Sequence, residues 1–413
     1  MGGKSGIVAI MAAVTFAAAS LLPGPGLAAP AEDLHSLGKG NAAFALNLYR
    51  QMLAKEKGNL FFSPYSISLA LAMAYAGAKG ETAAQIARVL GFTIPAERVH
   101  PALAELSRRL EKVGNEAGQS LTVANAAWLN TSLKLLPDYL KLIRSHYSEE
   151  IKQLDFCQEE PSRIAINGWV AKKTRDRIKD LIPPGILDCD TMLVLTNAIY
   201  FLGHWAEKFD DKLTKPGPFW LTPGKKVETP FMHRTAEYAY SENDAWQALE
   251  LPYREKKLSM LVLLPKSRGA LAEVEKTLKP EMLEQIAGSL KTRKVEVSLP
   301  RFTVRSRLTL NPYLQAAGMV LAFGPQADFS GITDWQRLAI SAVLHQAWVK
   351  VEEKGTEAAA ATAVVVRKTA VPVEMKPVVF RADHPFLFFI KDRETGLILF
   401  MGRLADPKAP SAG

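Results

Sequence analysis

The sequence lacks the short motifs that mark most enzyme active sites. It contains no G-x-S-x-G elbow, no H-E-x-x-H helix, no Walker A loop and no dinucleotide-binding glycine fingerprint. The seven histidines are scattered along the chain, and no two have the spacing of metal ligands. We therefore expect a protein that is not an enzyme and that uses no metal or other cofactor.

Cysteine is also scarce, with only Cys157 and Cys189 in 413 residues. No C-x-x-C pair is present, so neither a redox pair nor a zinc site is indicated. Two cysteines do not make a disulfide framework, and the sequence leaves open whether they pair or remain free thiols.

Neither sign of charge is in large excess. Lys and Arg number 51 against 42 Asp and Glu, which gives a net charge of +9. The basic residues are spread among the acidic ones. This distribution is typical of a solvated surface and argues against nucleic acid as a partner.

Long apolar runs are missing, with one exception near the N-terminus. Residues 7–22 are mostly apolar, follow Lys4 and precede a Pro-Gly-Pro-Gly break and several small residues. This order is typical of a secretory signal peptide, here residues 1–31, with cleavage after Ala28 or Ala31. The run is short for a membrane span. The sequence therefore predicts a secreted protein, extracellular or periplasmic, that does not act at a membrane.

Helical signals dominate the first half of the chain. Phe44, Leu48 and Met52 share one face of a predicted helix over residues 42–54. Ser63 followed by proline is typical of an N-cap, and it opens a predicted helix that runs to Gly77. Further helices are predicted over residues 81–90, where Gly91 ends the helix, 137–147 and 161–179.

Strand signals dominate the second half. Residues 191–202 form an apolar run, as expected for a strand that is buried on both faces. Residues 248–265 predict a hairpin with its turn at 253–257. Further strands are predicted within residues 295–310, 338–353 and 385–404. Helices early and strands late, without a repeat or a linker, predict one large α+β domain over residues 32–413.

One stretch, EEKGTEAAAATAVVVRKTA at residues 352–370, carries conflicting signals. Its alanines favour a helix, whereas the residues that follow them, 362–366, are mostly β-branched and favour a strand. On propensity alone a short surface helix accounts for the alanines. It does not account for Gly355 or for the strand-forming continuation.

Five segments of the sequence, in order, resemble segments of the serpin family. They are NLFFSPYSISLALAMAYAGAKGET (59–82), TNAIYFLGHWAEKF (196–209), VSLPRFTV (297–304), the stretch 352–370, and FRADHPFLFFIKDRETGLILFMGRLADP (380–407). The resemblance covers nearly everything after the signal peptide. It implies the α+β serpin fold, with about nine helices around three β-sheets and an exposed reactive-centre loop at about 354–379.

The resemblance also implies a function. GTEAAAATA is similar to the hinge of inhibitory serpins, whereas non-inhibitory relatives such as ovalbumin carry bulky or charged residues there. We therefore expect an irreversible suicide inhibitor of serine proteases, which inserts its cleaved loop as a strand of the central sheet and traps the acyl-enzyme. The alternative is a non-inhibitory serpin that acts as a binding or storage protein. The hinge implied by the resemblance comprises Glu353, Gly355, Thr356, Glu357, Ala358, Ala359, Ala360 and Ala361.

Insertion into a sheet imposes a period of two on the loop. If Thr356 is the first inward residue, the inward set is small at first and then β-branched, and it contains no charge. This set is Thr356, Ala358, Ala360, Thr362, Val364 and Val366. A bulky or charged side chain at Thr356 would oppose entry at its first step.

Other positions carry over from the family by resemblance. Ser63, Ser66, Asn197 and His345 match a polar cluster under the central strands, called here the shutter cluster. Trp205 and Arg301 match residues at the top of the sheet, called here the breach, where Arg301 is expected to pair with Glu353. Each of these residues also has a simpler possible role. For the polar residues it is that of a buried, hydrogen-bonded side chain, and for Trp205 it is core packing.

The partner is expected to be a serine protease that meets a monomeric inhibitor. The usual family count from Gly355 places the reactive bond at Thr369–Ala370, which suits an elastase-like or subtilisin-like enzyme. Arg367 and Lys368 lie just before it and would suit a trypsin-like enzyme instead. Arg108, Arg109 and Lys112 suggest a weak polyanion-binding site, although Glu105 and Glu111 interrupt that basic run.

Overall fold

The structure, a computed structural model, describes residues 29–116, 118–147, 150–334, 338–356 and 376–409. Within these ranges the chain forms nine α-helices. They are α1 (Ala31–Met52), α2 (Pro64–Tyr75), α3 (Gly80–Leu90), α4 (Ala96–Gly114), α5 (Pro137–His146), α6 (Glu159–Lys173), α7 (Leu271–Thr277), α8 (Pro280–Ser289) and α9 (Asn311–Ala316).

The strands of the described residues form two hydrogen-bonded sheets. The six-stranded sheet has the order β10-β11-β12-β4-β2-β3. Its strands are β2 (Ser120–Asn130), β3 (Glu150–Leu154), β4 (Leu193–His204), β10 (Phe302–Thr309), β11 (Ile340–Glu352) and β12 (Gly355–Thr356).

The nine-stranded sheet has two parts that share one long strand. The strand β6 pairs with β5 and β9 over most of its length, and with β7 only through its last four residues. Hydrogen bonding thus joins two of the three expected sheets into one. The strands are β1 (Leu60–Phe62), β5 (Lys215–Thr222), β6 (Lys225–Glu242), β7 (Trp246–Pro252), β8 (Leu258–Pro265), β9 (Lys291–Pro300), β13 (Val378–Arg381), β14 (Phe386–Asp392) and β15 (Ile398–Leu404).

Local capping explains where several helices begin and end. The Ser63 side chain accepts a hydrogen bond from the Ser66 amide at 3.1 Å and caps α2, as predicted. Gly91 ends α3 in the left-handed conformation, at φ 70°, also as predicted.

The helix predicted over residues 161–179 was wrong at its C-terminal end. The helix α6 ends at Lys173, because the Thr174 hydroxyl bonds to Val170 O and also accepts the Ile178 amide. Arg175 then takes a positive φ of 50°, so the chain turns away. Side-chain hydrogen bonds of this kind compete with the helical ladder.

The apolar run of residues 191–202 forms the buried strand β4, because both of its faces are covered. Leu195 and Ile199 belong to the large core between this sheet, the other sheet and most of the helices. Val194 and Ala198 face a smaller core with Trp128 and residues of α6. The prediction that this strand is buried on both faces is therefore confirmed, which explains why polar and apolar residues do not alternate along it.

Cys157 and Cys189 form a disulfide, with their Cα atoms 4.2 Å apart. The question that the sequence left open is answered in favour of pairing. The bridge joins the segment just before α6 to the segment just before β4, and both cysteines are exposed.

Among the described residues, no helix is both long enough and apolar enough to cross a membrane. The proposed signal peptide lies almost wholly outside the described residues.

Candidate functional site

The site centres on an opening in the six-stranded sheet. The parallel strands β4 and β11 pair directly from Leu193 with Ile340 up to Tyr200 with Trp348. Beyond that point they no longer pair with each other, and β12 lies between them. In β12, Thr356 pairs with Val351 on one side and Gly203 on the other. The two residues of β12 thus lie between β4 and β11 and pair with both of them.

Gly355 is the residue that lets the chain enter this opening. Its φ of +150° is one that side-chain-bearing residues rarely adopt. A Cβ atom at this position would lie 1.9 Å from the carbonyl oxygen of Gly203. Only glycine therefore fits, because both the backbone conformation and the neighbouring strand exclude a side chain.

Thr356 is fully buried at the head of the opening. Its hydroxyl shares a 2.8 Å hydrogen bond with the hydroxyl of Tyr253. Burial raises the pKa of the Tyr253 phenol far above its usual range, so that group remains neutral. The buried side chain at this position is thus small and uncharged, and its hydroxyl meets a neutral partner.

Trp205 holds the chain on the approach to β12. Its indole stacks on the Tyr253 ring at 4.7 Å, and its Nε1 donates to the carbonyl of Glu352 at 3.0 Å. The Trp205 amide donates to Lys354 O, and the Phe209 amide donates to the intervening carbonyl of Glu353, both at 3.0 Å. Three successive carbonyls before the loop are therefore fixed. Trp205 does more here than fill the core.

Glu353 and Arg301 form the ion pair that the resemblance implies. Arg301 Nε donates to Glu353 Oε1 at 2.6 Å, and Thr214 donates to the same oxygen. Burial of the carboxyl raises its pKa, but the hydrogen bonds from Arg301 and Thr214 outweigh this effect and hold the pKa of Glu353 below its usual value. Glu353 is buried whereas Arg301 is largely exposed, so the pair anchors a buried carboxylate rather than forming a surface salt bridge.

The four shutter residues of the sequence prediction lie together, below the opening. Ser63 Oγ donates to Leu399 O at 2.6 Å, and the Ser63 amide donates to Nε2 of His345 at 3.2 Å. Nδ1 of His345 contacts Oδ1 of Asn197, and Nδ2 of Asn197 donates to Ser66 Oγ. The contacts run continuously from the N-terminus of α2 into β4 and β11.

These partners define the protonation state of His345. Because Nε2 accepts the Ser63 amide, the ring proton sits on Nδ1 and is donated to Asn197. Complete burial lowers the pKa of His345 to about 3. The imidazole is therefore neutral at physiological pH, and its contacts fit a structural bond between β4 and β11 rather than a catalytic base.

Asn125 is a fifth member of this cluster that the sequence reasoning missed. It lies on β2 opposite Asn197, accepts a hydrogen bond from Ser66 Oγ at 3.0 Å and donates to Ser66 O at 3.1 Å. Asn125, Asn197 and His345 occupy one row across three neighbouring strands. Asn125, the one polar residue among the otherwise apolar residues 123–129, was the available signal, since a buried amide needs partners.

The remaining sequence-predicted residues separate into two groups. The hinge residues Glu357, Ala358, Ala359, Ala360 and Ala361, and the reactive-bond candidates Arg367, Lys368, Thr369 and Ala370, lie outside the described residues. The candidate polyanion residues lie on α4, and two of them are already engaged.

On α4, Arg109 points inward rather than to solvent. It forms an ion pair at 2.9 Å with Asp392, which is completely buried. Arg108 pairs with Glu105 at 2.6 Å, one helical turn before it. These contacts leave little free positive charge along the predicted polyanion run.

Comparison with known proteins identifies a family profile, relatives and solved structures that this chain resembles. The family profile described as Serpin (serine protease inhibitor) matches residues 39–407. An uncharacterized serpin-like protein of Thermococcus kodakarensis is 42% identical over 368 residues, which cover 89% of this chain and 84% of that protein. Human Serpin B8 is 39% identical over 381 residues, which cover 91% of this chain and all of that protein. The crystal structure of human thyroxine-binding globulin complexed with thyroxine has a TM-score of 0.81 and 30% identity, and it covers 91% of this chain and 99% of that chain.

Proposed function

The chain belongs to the serpin family, and we propose that it is an inhibitory member, an irreversible suicide inhibitor of serine proteases. The fold by itself does not assign this function, because human thyroxine-binding globulin, solved as a complex with thyroxine, has the same fold. The proposal therefore depends on the chemistry at the opening.

The observation that carries the proposal is the position of β12. Two residues at the start of the loop pair with both β4 and β11, beyond Trp348 and Tyr200, where those two strands stop pairing with each other. The edges exposed by further separation would offer backbone hydrogen-bond partners to each following loop residue. This is strand addition within one molecule.

The register of β12 predicts where a longer insertion would lead. Counting six residues forward from Thr356 along the loop, and six backward from Val351 and Gly203 along the neighbouring strands, brings Thr362 beside His345 and Asn197. Insertion to this depth separates those two side chains. The Thr362 hydroxyl can then serve both, so the polar row is restored around the new strand.

In the proposed mechanism the protease treats the loop as a substrate. The protease serine attacks the scissile carbonyl, an acyl-enzyme forms, and the new amino terminus departs. The amino-terminal part of the cleaved loop then inserts between β4 and β11 and carries the attached protease with it. Inhibition results if insertion distorts the protease before water attacks the ester. Before cleavage the fold must therefore be maintained by a kinetic barrier and not by equilibrium stability.

The target class follows from the bond that is cut. We propose Thr369–Ala370, with cleavage after Arg367 or Lys368 as the alternative. The first assignment favours an elastase-like or subtilisin-like protease and the second a trypsin-like one.

A panel of these three protease types tests the proposal. We expect at least one to form a covalent complex that survives denaturing electrophoresis. The intact mass of the released carboxyl-terminal fragment identifies the bond. If every protease cleaves the loop and turns over freely, the inhibitory assignment is wrong and a binding or storage role takes its place.

We also propose that the mature protein is exported after removal of the signal peptide. The helix α1 begins at Ala31, and Asp33 in its first turn is buried and hydrogen-bonded to Arg98 at 2.9 Å. Cleavage after Ala28 would leave this helix whole. Amino-terminal sequencing of protein recovered from the medium or periplasm tests the assignment, and an intact Met1 there would contradict it.

A further inference from the structure

A basic cleft lies at the carboxyl-terminal root of the loop, in the part of the nine-stranded sheet formed by β6, β9 and β13. Its volume is about 460 Å³, and the end of α8 closes one side. This cavity is called here the basic cleft, because four cationic side chains line it: Lys291, Arg293, Lys294 and Lys376.

The charges of the basic cleft are not neutralised locally. None of the four cations forms an ion pair within the described part of the chain. The register places Lys291 opposite Tyr240 and Arg293 opposite Tyr238 on β6, so tyrosines stand where carboxylates would balance the charge. Glu242, the acid that lines the cleft, is bound to Lys266 at 2.8 Å.

Lys294 differs from the others because it lies opposite an acid, Glu237. Even there the two side chains do not come within ion-pair distance. Like charges that lie close together on a sheet surface without a partner repel one another. An anionic partner bound at the cleft would offset the repulsion among these exposed charges.

The position of the cleft indicates what this partner is. Lys376 is seven residues beyond Thr369, and an extended chain of that length spans at most about 25 Å. A protease of about 220 residues has a radius of gyration near 17 Å. A protease engaged at the loop therefore has surface within reach of the basic cleft.

We propose that the basic cleft is an accessory binding site for an acidic patch beside the active site of the target protease. Val378 also lines the cleft, and its neighbour Val379 is 51% exposed. A mixture of cations and exposed apolar side chains fits a protein surface better than a purely anionic chain. The inference depends on the proposed function only in taking a protease as the partner.

The site would act mainly on the rate of encounter. Complementary charges steer association and can raise its rate constant by a factor of ten or more, with a steep dependence on salt. The relevant quantity is the second-order rate constant for loop consumption, which counts both trapped complex and cleaved protein. It is measured with anionic and cationic trypsin, because both can cut after Arg367 or Lys368.

The test variant is Lys291→Glu combined with Arg293→Glu and Lys294→Glu. We expect loop consumption by anionic trypsin to slow by about tenfold at low salt and much less at high salt. Cationic trypsin should not be slowed. Lys376→Glu alone should act in the same direction with a smaller effect, and it serves if the triple variant folds poorly.

The matched control carries the same change of net charge at a different place: Lys134→Glu, Lys141→Glu and Arg144→Glu, on and just before α5. If this control slows anionic trypsin as much as the test variant does, the effect is one of net charge and the site is refuted. The site is also refuted if the test variant loses retention on a heparin column but keeps its rate with anionic trypsin, because the cleft then serves a polyanion. The fraction of consumed inhibitor that ends as covalent complex is a separate readout. If no covalent complex forms, the inhibitory function is refuted, but the assignment of the basic cleft is not affected.

Discussion

Replacing Thr356 by arginine tests the insertion mechanism most directly. Thr356 is completely buried, its hydroxyl shares a hydrogen bond with the neutral Tyr253 hydroxyl, and its pairing partners are Val351 and Gly203. A guanidinium placed there would be a buried charge beside a neutral hydroxyl. The variant chain can avoid this cost only by keeping its hinge out of the sheet.

The size of the effect follows from that burial. An uncompensated buried charge costs about 3–5 kcal/mol, which corresponds to a slowing of insertion by roughly a hundredfold to several thousandfold. The attack on the loop is unaffected, because the scissile bond lies far along the chain. Hydrolysis of the acyl-enzyme then precedes insertion, and Thr356→Arg becomes a substrate.

The assay is the ratio of covalent complex to cleaved protein on a denaturing gel, with a protease that the wild type traps. Thr356→Ser, which keeps the hydroxyl, should behave almost as wild type. Thr356→Val, which loses only the hydrogen bond to Tyr253, should cost about 1 kcal/mol and shift the ratio slightly. Undiminished complex formation by Thr356→Arg would refute the argument that the loop enters at this position.

Three further predictions concern stability and the hinge. Because the pKa of His345 is lowered in the folded state, protonation of the unfolded chain below pH 6.5 destabilises the wild type. The destabilisation caused by His345→Gln should therefore shrink by about 2 kcal/mol between pH 7 and pH 5 in urea titrations, and a constant difference would contradict this. Thiol titration of the unfolded, unreduced protein should find no free cysteine; replacing Cys157 and Cys189 by serine should lower the unfolding free energy by about 2–4 kcal/mol, and two titratable thiols would contradict the bridge. Gly355→Ala should drive β12 from the sheet and speed amide exchange in the hinge peptide, whereas unchanged protection would show that the clash is relieved another way.

The parts of the fold that were predictable from sequence depend on local chemistry. Ser63 before a proline, and Gly91 after an apolar face, marked helix ends that the structure confirms. The helix α4 and the strand β2 were not predicted. Alanine and asparagine in residues 120–130 are poor strand formers, and only the packing of β2 between its neighbours and two cores makes it a strand.

Contacts between distant residues were beyond the reach of sequence patterns. Arg109 read as a surface cation within a basic run, but its partner Asp392 lies 283 residues further along the chain. The pairing of the two cysteines depends on where the chain returns after α6. In contrast, the shutter residues were found by resemblance alone, and their hydrogen-bond pattern, including the part played by Asn125, needed the structure.

The disulfide has a consequence for how the sheet can divide. It ties the exit from β3 to the entry into β4, and β2 joins those two strands side by side. With α6 packed over them, these elements form a single covalently braced block on one side of the opening. The strands β10 and β11 form the other block. If the sheet opens as proposed, these two blocks part along one seam, the line where Asn197 meets His345. The disulfide and the pairing with β2 keep β3 and β4 together on one side of this seam.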